Sequence, residues 1–194
     1  GVSEAALLPI LKVFSGVERR FETKGNVDGV TVVDDYAHHP TEIRATLSAA
    51  RLSFEQRPLW VLFQPHTFSR TKALLAEFAD SLGDADHLVL MDIFPSREVD
   101  DGLVSSADIL ELMEHKSAYL VSTHDAALRF LNEHLLSGDV LLTLGAGDVY
   151  RVGEQVLALR RDEGVLVKGD SKQLFAHFGN RLHRQELLAR YTSA

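Results

Sequence analysis

Cysteine is missing from all 194 residues, which excludes a disulfide framework and any thiolate metal site. No apolar run approaches the roughly 20 residues of a membrane span. The N-terminus lacks the basic-then-apolar pattern of a secretory leader. Basic charge is also short: the formal net charge is −8, which argues against a general binder of nucleic-acid backbones. A few local arginines still suffice to hold a small anion. Internal repeats and low-complexity tracts are absent. So is the phosphate-cradling pattern G-x-x-x-x-G-K followed by Ser or Thr. What remains is an ordinary globular composition, 45% hydrophobic and 25% charged, long enough to bury one sizeable core.

Short apolar runs alternate with helical patterns along the chain. Val30–Val33, Leu59–Phe63, His87–Met91, Ala118–Val121 and Val140–Leu144 have the length and composition of buried strands. Pro40 suits a first helical position, and Ile43, Leu47, Ala50 and Phe54 follow on one stripe. Leu74, Leu75, Phe78, Ala79 and Leu82 form a second stripe. Ser105 with Asp108 resembles a capping box, and Thr123 suits an N-cap. This alternation predicts an α/β fold with a doubly wound, mostly parallel sheet. Arg19–Thr23, the turn residues Gly25–Gly29 and Val30–Val33 add one antiparallel edge strand. The expected organisation is a helix over residues 1–16 from a preceding domain or linker, a domain over 17–161, and a helical extension over 162–194. That extension is expected to begin with a turn at Asp162 and to be helical from about Ser171 to Tyr191.

In such sheets ligands bind beyond the carboxyl ends of the strands. The unusual residues gather there: Asp34–Pro40, Gln64–Thr71, Asp92 with Ser96-Arg97-Glu98, and Gly145–Asp148. The first two stretches lead into helix N-termini, which favour an anion. Each residue also has an ordinary reading. His38 and His39 are adjacent and have no third ligand at metal spacing, so no metal site is expected. A lone His66 suits a loop hydrogen bond, and a lone Arg70 a solvated charge. Gly145-Ala146-Gly147 lacks the third glycine of a dinucleotide loop and follows the last strand, not the first.

The strings DDYAHHPTEI and FQPHTFSRT, with Phe14–Glu22 and Thr143–Asp148, resemble in order and spacing the C-terminal third of the Mur ligases that join L-alanine to UDP-N-acetylmuramate. The resemblance covers about residues 8–160. It implies ATP- and Mg2+-dependent amide formation in peptidoglycan precursor synthesis, in the bacterial cytoplasm. The muramyl carboxylate is phosphorylated, and the amine of L-alanine then displaces the phosphate. The resemblance also implies residue roles. Arg20 reaches the ATP phosphates and Asp35 the ribose; Tyr36, His38 and His66 line the amino-acid pocket; Arg70 receives the amino-acid carboxylate. Some relatives carry a second arginine where this chain has Thr67. No residue here is expected to act as nucleophile or base, because the substrate amine attacks. The domain then contributes positioning and closure, and the missing phosphate loop makes the isolated chain inactive by expectation. Alternatives are a murein-peptide recycling ligase, a non-catalytic nucleotide or amino-acid module, and an interaction role for the tail.

Overall fold

Residues 3, 6, 8, 9 and 16–167 are described in the computed structural model of the chain. Among them, six strands form one sheet: β1 (Glu22–Val27), β2 (Val30–Asp35), β3 (Leu59–Phe63), β4 (His87–Met91), β5 (Ala118–Val121) and β6 (Val140–Leu144). They lie side by side in the order β1-β2-β6-β3-β4-β5. The β1–β2 pair is antiparallel and every other neighbouring pair is parallel. β2, β3 and β6 are buried at every position, as expected of strands covered on both faces.

The helices α1 (Pro40–Phe54), α2 (Phe68–Ala73), α3 (Leu75–Ser81), α4 (Ser106–Glu111), α5 (His124–His134) and α6 (Tyr150–Val167) divide between the two faces. Val33, Val61, Phe63, Leu88, Leu90 and Leu142 pack against Ile43 and Leu47 of α1, Phe78 of α3 and Ile109 of α4. The alternate strand positions Val32, Leu62, Val89 and Leu141 meet Leu131 of α5 and Val152 and Val156 of α6. The period-2 alternation of strand side chains thus gives two cores, one on each side of the sheet.

Local chemistry sets several boundaries. His39 accepts from Thr41 N–H ahead of Pro40, Ser105 and Asp108 form the expected capping box, and Thr123 accepts from Ala126 N–H. Two expectations need correction. β1 begins at Glu22 and takes in Gly25, Asn26 and Val27, so Asp28 and Gly29 alone reverse the chain. Their φ values are 51° and 81°, the consecutive positive pair that a two-residue hairpin needs and Asp-Gly supplies. The stripe from Leu74 to Leu82 forms one helix, α3, with Leu74 as its N-cap at φ −122° and Leu82 as its C-cap. The turn at Asp162 is not formed, since α6 runs on to Val167. The helix expected over 171–191 lies outside the described residues, as does most of the helix expected over 1–16.

Candidate functional site

Because β2, β6 and β3 are consecutive in the sheet, the loops after them converge at one edge. The segment entering β1 is tied to that edge by Arg19, which the sequence reading passed over in favour of Arg20. Arg19 Nε donates to Asp34 at 2.8 Å, and its Nη atoms donate to the carbonyls of Gly147 at 3.0 Å and Gly145 at 2.7 Å. Its guanidinium carbon lies 5.1 Å from the Tyr36 ring centroid and 4.5 Å from that of Tyr150. Asp34 is fully buried, and its other oxygen accepts from Thr143 Oγ1 at 2.7 Å. Gly145, at φ +147°, is required by close approach: a Cβ there would stand 3.0 Å from the Gln64 carbonyl.

Arg20 is exposed and its guanidinium carbon lies 5.6 Å from the Tyr36 ring centroid, open to an anionic partner. Asp35 differs from its expected setting. It is 6% exposed, and its oxygens accept from Ala37 N–H and Phe21 N–H, both at 2.8 Å. Burial raises its pKa, although these amides and Arg20 pull the other way. A carboxylate so enclosed has little face left for ribose hydroxyls; its visible work is to fix the ends of two loops.

Tyr36, His38, His66 and Arg70 do come together. The rings of Tyr36 and His38 meet edge to face at 5.2 Å, and those of His38 and His66 at 5.9 Å. His66 stacks on Phe94 at 5.5 Å. His38 Nδ1 lies 2.9 Å from the Tyr36 carbonyl; a carbonyl only accepts, so this nitrogen carries the proton and Nε2 is free. Glu42 supports the arrangement, accepting from His38 N–H at 3.0 Å and standing 3.5 Å from Nδ1. Burial raises the Glu42 pKa, but the His38 amide and ring, the His39 amide and Arg20 together make the net shift downward. Arg70 Nη1 donates to the His66 carbonyl at 2.6 Å and lies 3.4 Å from His66 Nδ1. Burial, then the Arg70 and His38 charges, depress the His66 pKa and keep the ring neutral near pH 7. The result is a row of contacting rings, Tyr36, His38 and His66, with the half-buried Arg70 against the last of them.

The N-terminus of α2 was expected to suit an external anion, yet Glu98 already sits there. It accepts from Thr67 Oγ1, Ser69 N–H and Ser69 Oγ. Its place after β4 was noted in the sequence, but nothing in the sequence pairs it with Thr67. Among the described residues, no group of three or more His, Cys, Asp or Glu could hold a metal ion, and no helix is long and apolar enough to cross a membrane.

The profile of the Mur ligase, glutamate ligase domain matches residues 19–147. A UDP-N-acetylmuramate–L-alanine ligase of Caldanaerobacter subterraneus subsp. tengcongensis is 47% identical over 159 residues, 81% of this chain and 34% of that protein. The crystal structure of UDP-N-acetylmuramate–alanine ligase from Thermotoga maritima superposes with a TM-score of 0.65 at 30% identity, over 84% of this chain and 34% of that one. A murein peptide ligase from Psychrobacter arcticus gives 0.64 at 26% identity, over 82% and 33%. The chain therefore spans about a third of the length of these relatives. On the match across residues 19–147, with the sheet and loop arrangement above, the chain belongs to the Mur ligase, glutamate ligase domain family.

Proposed function

We propose that this chain is the amino-acid-binding, ATP-closing domain of a cytoplasmic ligase that joins L-alanine to UDP-N-acetylmuramate in bacterial peptidoglycan precursor synthesis. The observation that carries the reading is Arg70 held against His66, at the end of the row of rings formed by Tyr36, His38 and His66. A guanidinium there can take a carboxylate through two charge-assisted hydrogen bonds. Bulky rings beside the arginine suit a small side chain better than a large one. The similarity to L-alanine ligases supports the same substrate. ATP, when bound, supplies the activation of the muramyl carboxylate. Exposed Arg20 fits a phosphate oxygen, enclosed Asp35 fits a ribose poorly, and the described residues offer no magnesium cluster. This domain's contribution is then to hold and orient the amino acid, and the chain alone should not release phosphate from ATP.

The test uses a complete ligase carrying these residues. Charged hydrogen bonds are worth roughly 1.5–3 kcal/mol, so Arg70→Ala should lower the efficiency for L-alanine about 10- to 150-fold. The loss should appear as a raised half-saturation for L-alanine, with that for ATP nearly unchanged. Arg20→Ala should show the reverse bias. An unaltered alanine half-saturation in Arg70→Ala would remove the loop's assignment to the amino acid.

A further inference from the structure

Glu98 reaches from the loop after β4 into the first turn of α2. Its Oε1 accepts from Thr67 Oγ1 at 2.5 Å and from Ser69 Oγ, while Oε2 accepts from Ser69 N–H at 2.8 Å. Thr67 is the N-cap of α2 but makes no side-chain cap bond of its own, so the cap comes from the neighbouring loop. With the Ser69 hydroxyl, the Thr67 hydroxyl and the Ser69 amide all donating to it, the carboxyl is held well below the usual range, at about 2. The two loops are also joined at their roots, where Phe94 N–H donates to the Pro65 carbonyl at 2.8 Å and the Phe94 ring stacks on His66. Arg70 is the next residue after the clasped Ser69 and points back to the His66 carbonyl.

We propose that Glu98 is a positioning residue of the amino-acid pocket: by clasping Thr67 and Ser69 it fixes the turn from which Arg70 projects, and by filling the first turn of α2 it keeps an incoming carboxylate on Arg70. The inference rests on the proposed role of Arg70. Glu98 stays ionised, with three neutral donors solvating its oxygens. Without Glu98, the donors on Thr67 and Ser69 would be freed to compete for the substrate's anion, and Arg70 would lose its fixed base.

A double-substitution cycle in a complete ligase carrying these residues tests this. Glu98→Ala should raise the L-alanine half-saturation about tenfold, with kcat and the ATP half-saturation changed less than about twofold. Glu98→Gln keeps one acceptor oxygen for the hydroxyls and should fall between. In an Arg70→Ala background, Glu98→Ala should add less than about twofold, because its effect passes through Arg70. A full tenfold penalty in that background, or an equal rise in the ATP value, would show a merely structural role and overturn the proposal. If Arg70→Ala itself leaves alanine unaffected, the proposed function fails instead. The positioning claim is then decided on the 194-residue chain by nuclear magnetic resonance. Glu98→Ala should shift the Arg70 side-chain Nε resonance as well as the Ser69 amide, and an unmoved Arg70 signal would sink it.

Discussion

The two ends of β6 are built alike and used differently. Before β6, Arg57 donates to the carbonyls of Gly138 at 2.6 Å, Asp139 at 2.9 Å and Gly29 at 3.1 Å. The buried Asp139 carboxylate accepts from Trp60 Nε1 at 3.0 Å and Leu136 N–H at 2.8 Å. After β6, Arg19 gathers the carbonyls of Gly145 and Gly147, and buried Asp34 accepts from Arg19 and Thr143. Each end is thus an arginine-and-carboxylate knot that satisfies strand-end groups water cannot reach. Both ends also carry imidazoles, but His87 and His134 at the first end are stacked on Trp60 and Phe130, whereas the second end adds exposed Arg20 and half-buried Arg70. The comparison separates residues that hold the sheet's ends together from residues with bonding capacity left for a ligand.

The largest expected effect tests whether the knot at the site end is structural. Asp34→Ala would leave the mostly buried Arg19 guanidinium without its counter-charge, held only by the Gly145 and Gly147 carbonyls. It would also free the buried Thr143 hydroxyl. Removing one partner of a buried pair costs about 3–5 kcal/mol. Urea denaturation should record that loss, and a complete ligase carrying it should bind both nucleotide and amino acid less well. A loss under about 1 kcal/mol would mean that water reaches the knot. Trp60→Phe makes the matching change at the other end. It keeps the ring but removes the donor to Asp139, a loss of about 1–3 kcal/mol for a buried acceptor. Its half-saturations should stay at wild-type values. If they moved, the two ends would be coupled through β6 and the separation drawn here would fail.

Much of this architecture was legible in the chain because the signals were local. LWVLF, HLVLM, AYLV and VLLTL are apolar runs of strand length, and β3, β4, β5 and β6 occupy those residues. Tyr36, His38, His66 and Arg70 stood at strand ends in long, specific strings, and the fold brings them to one place. Arg19 and Glu98 were not legible in the same way. Their partners lie at separations of up to 128 residues for Arg19 and 31 for Glu98, and neither has a spacing rule that singles it out. For Asp35 the residue type suits a ribose but does not disclose its surroundings, because the chain entering β1 and the loop after β2 close over it.

The smallest effect concerns His66, and it bears on whether Arg70 stands where it is placed. The ordinary imidazole value is 6.5, and burial first, then the charges of Arg70 and His38, lower it in the folded chain. As pH falls through about 6.5, the unfolded chain takes up a proton that the folded chain refuses. This contribution to stability is therefore complete above that pH and declines below it, levelling off once the folded value is passed. Asp35, raised by burial, works in the opposite direction at lower pH, and Glu42 and Asp86, both lowered, work in the same direction as His66. Replacing His66 by Gln should accordingly flatten the fall in stability between about pH 7 and 5 while leaving the acid limb below it. Titration of the His66 ring signals gives the direct measurement. Arg70→Ala should move the midpoint upward but not back to 6.5, because burial remains the larger cause. An Arg70→Ala midpoint equal to that of the wild type would place the guanidinium away from the ring. The arginine would then lack the fixed seat that its role as carboxylate receiver requires.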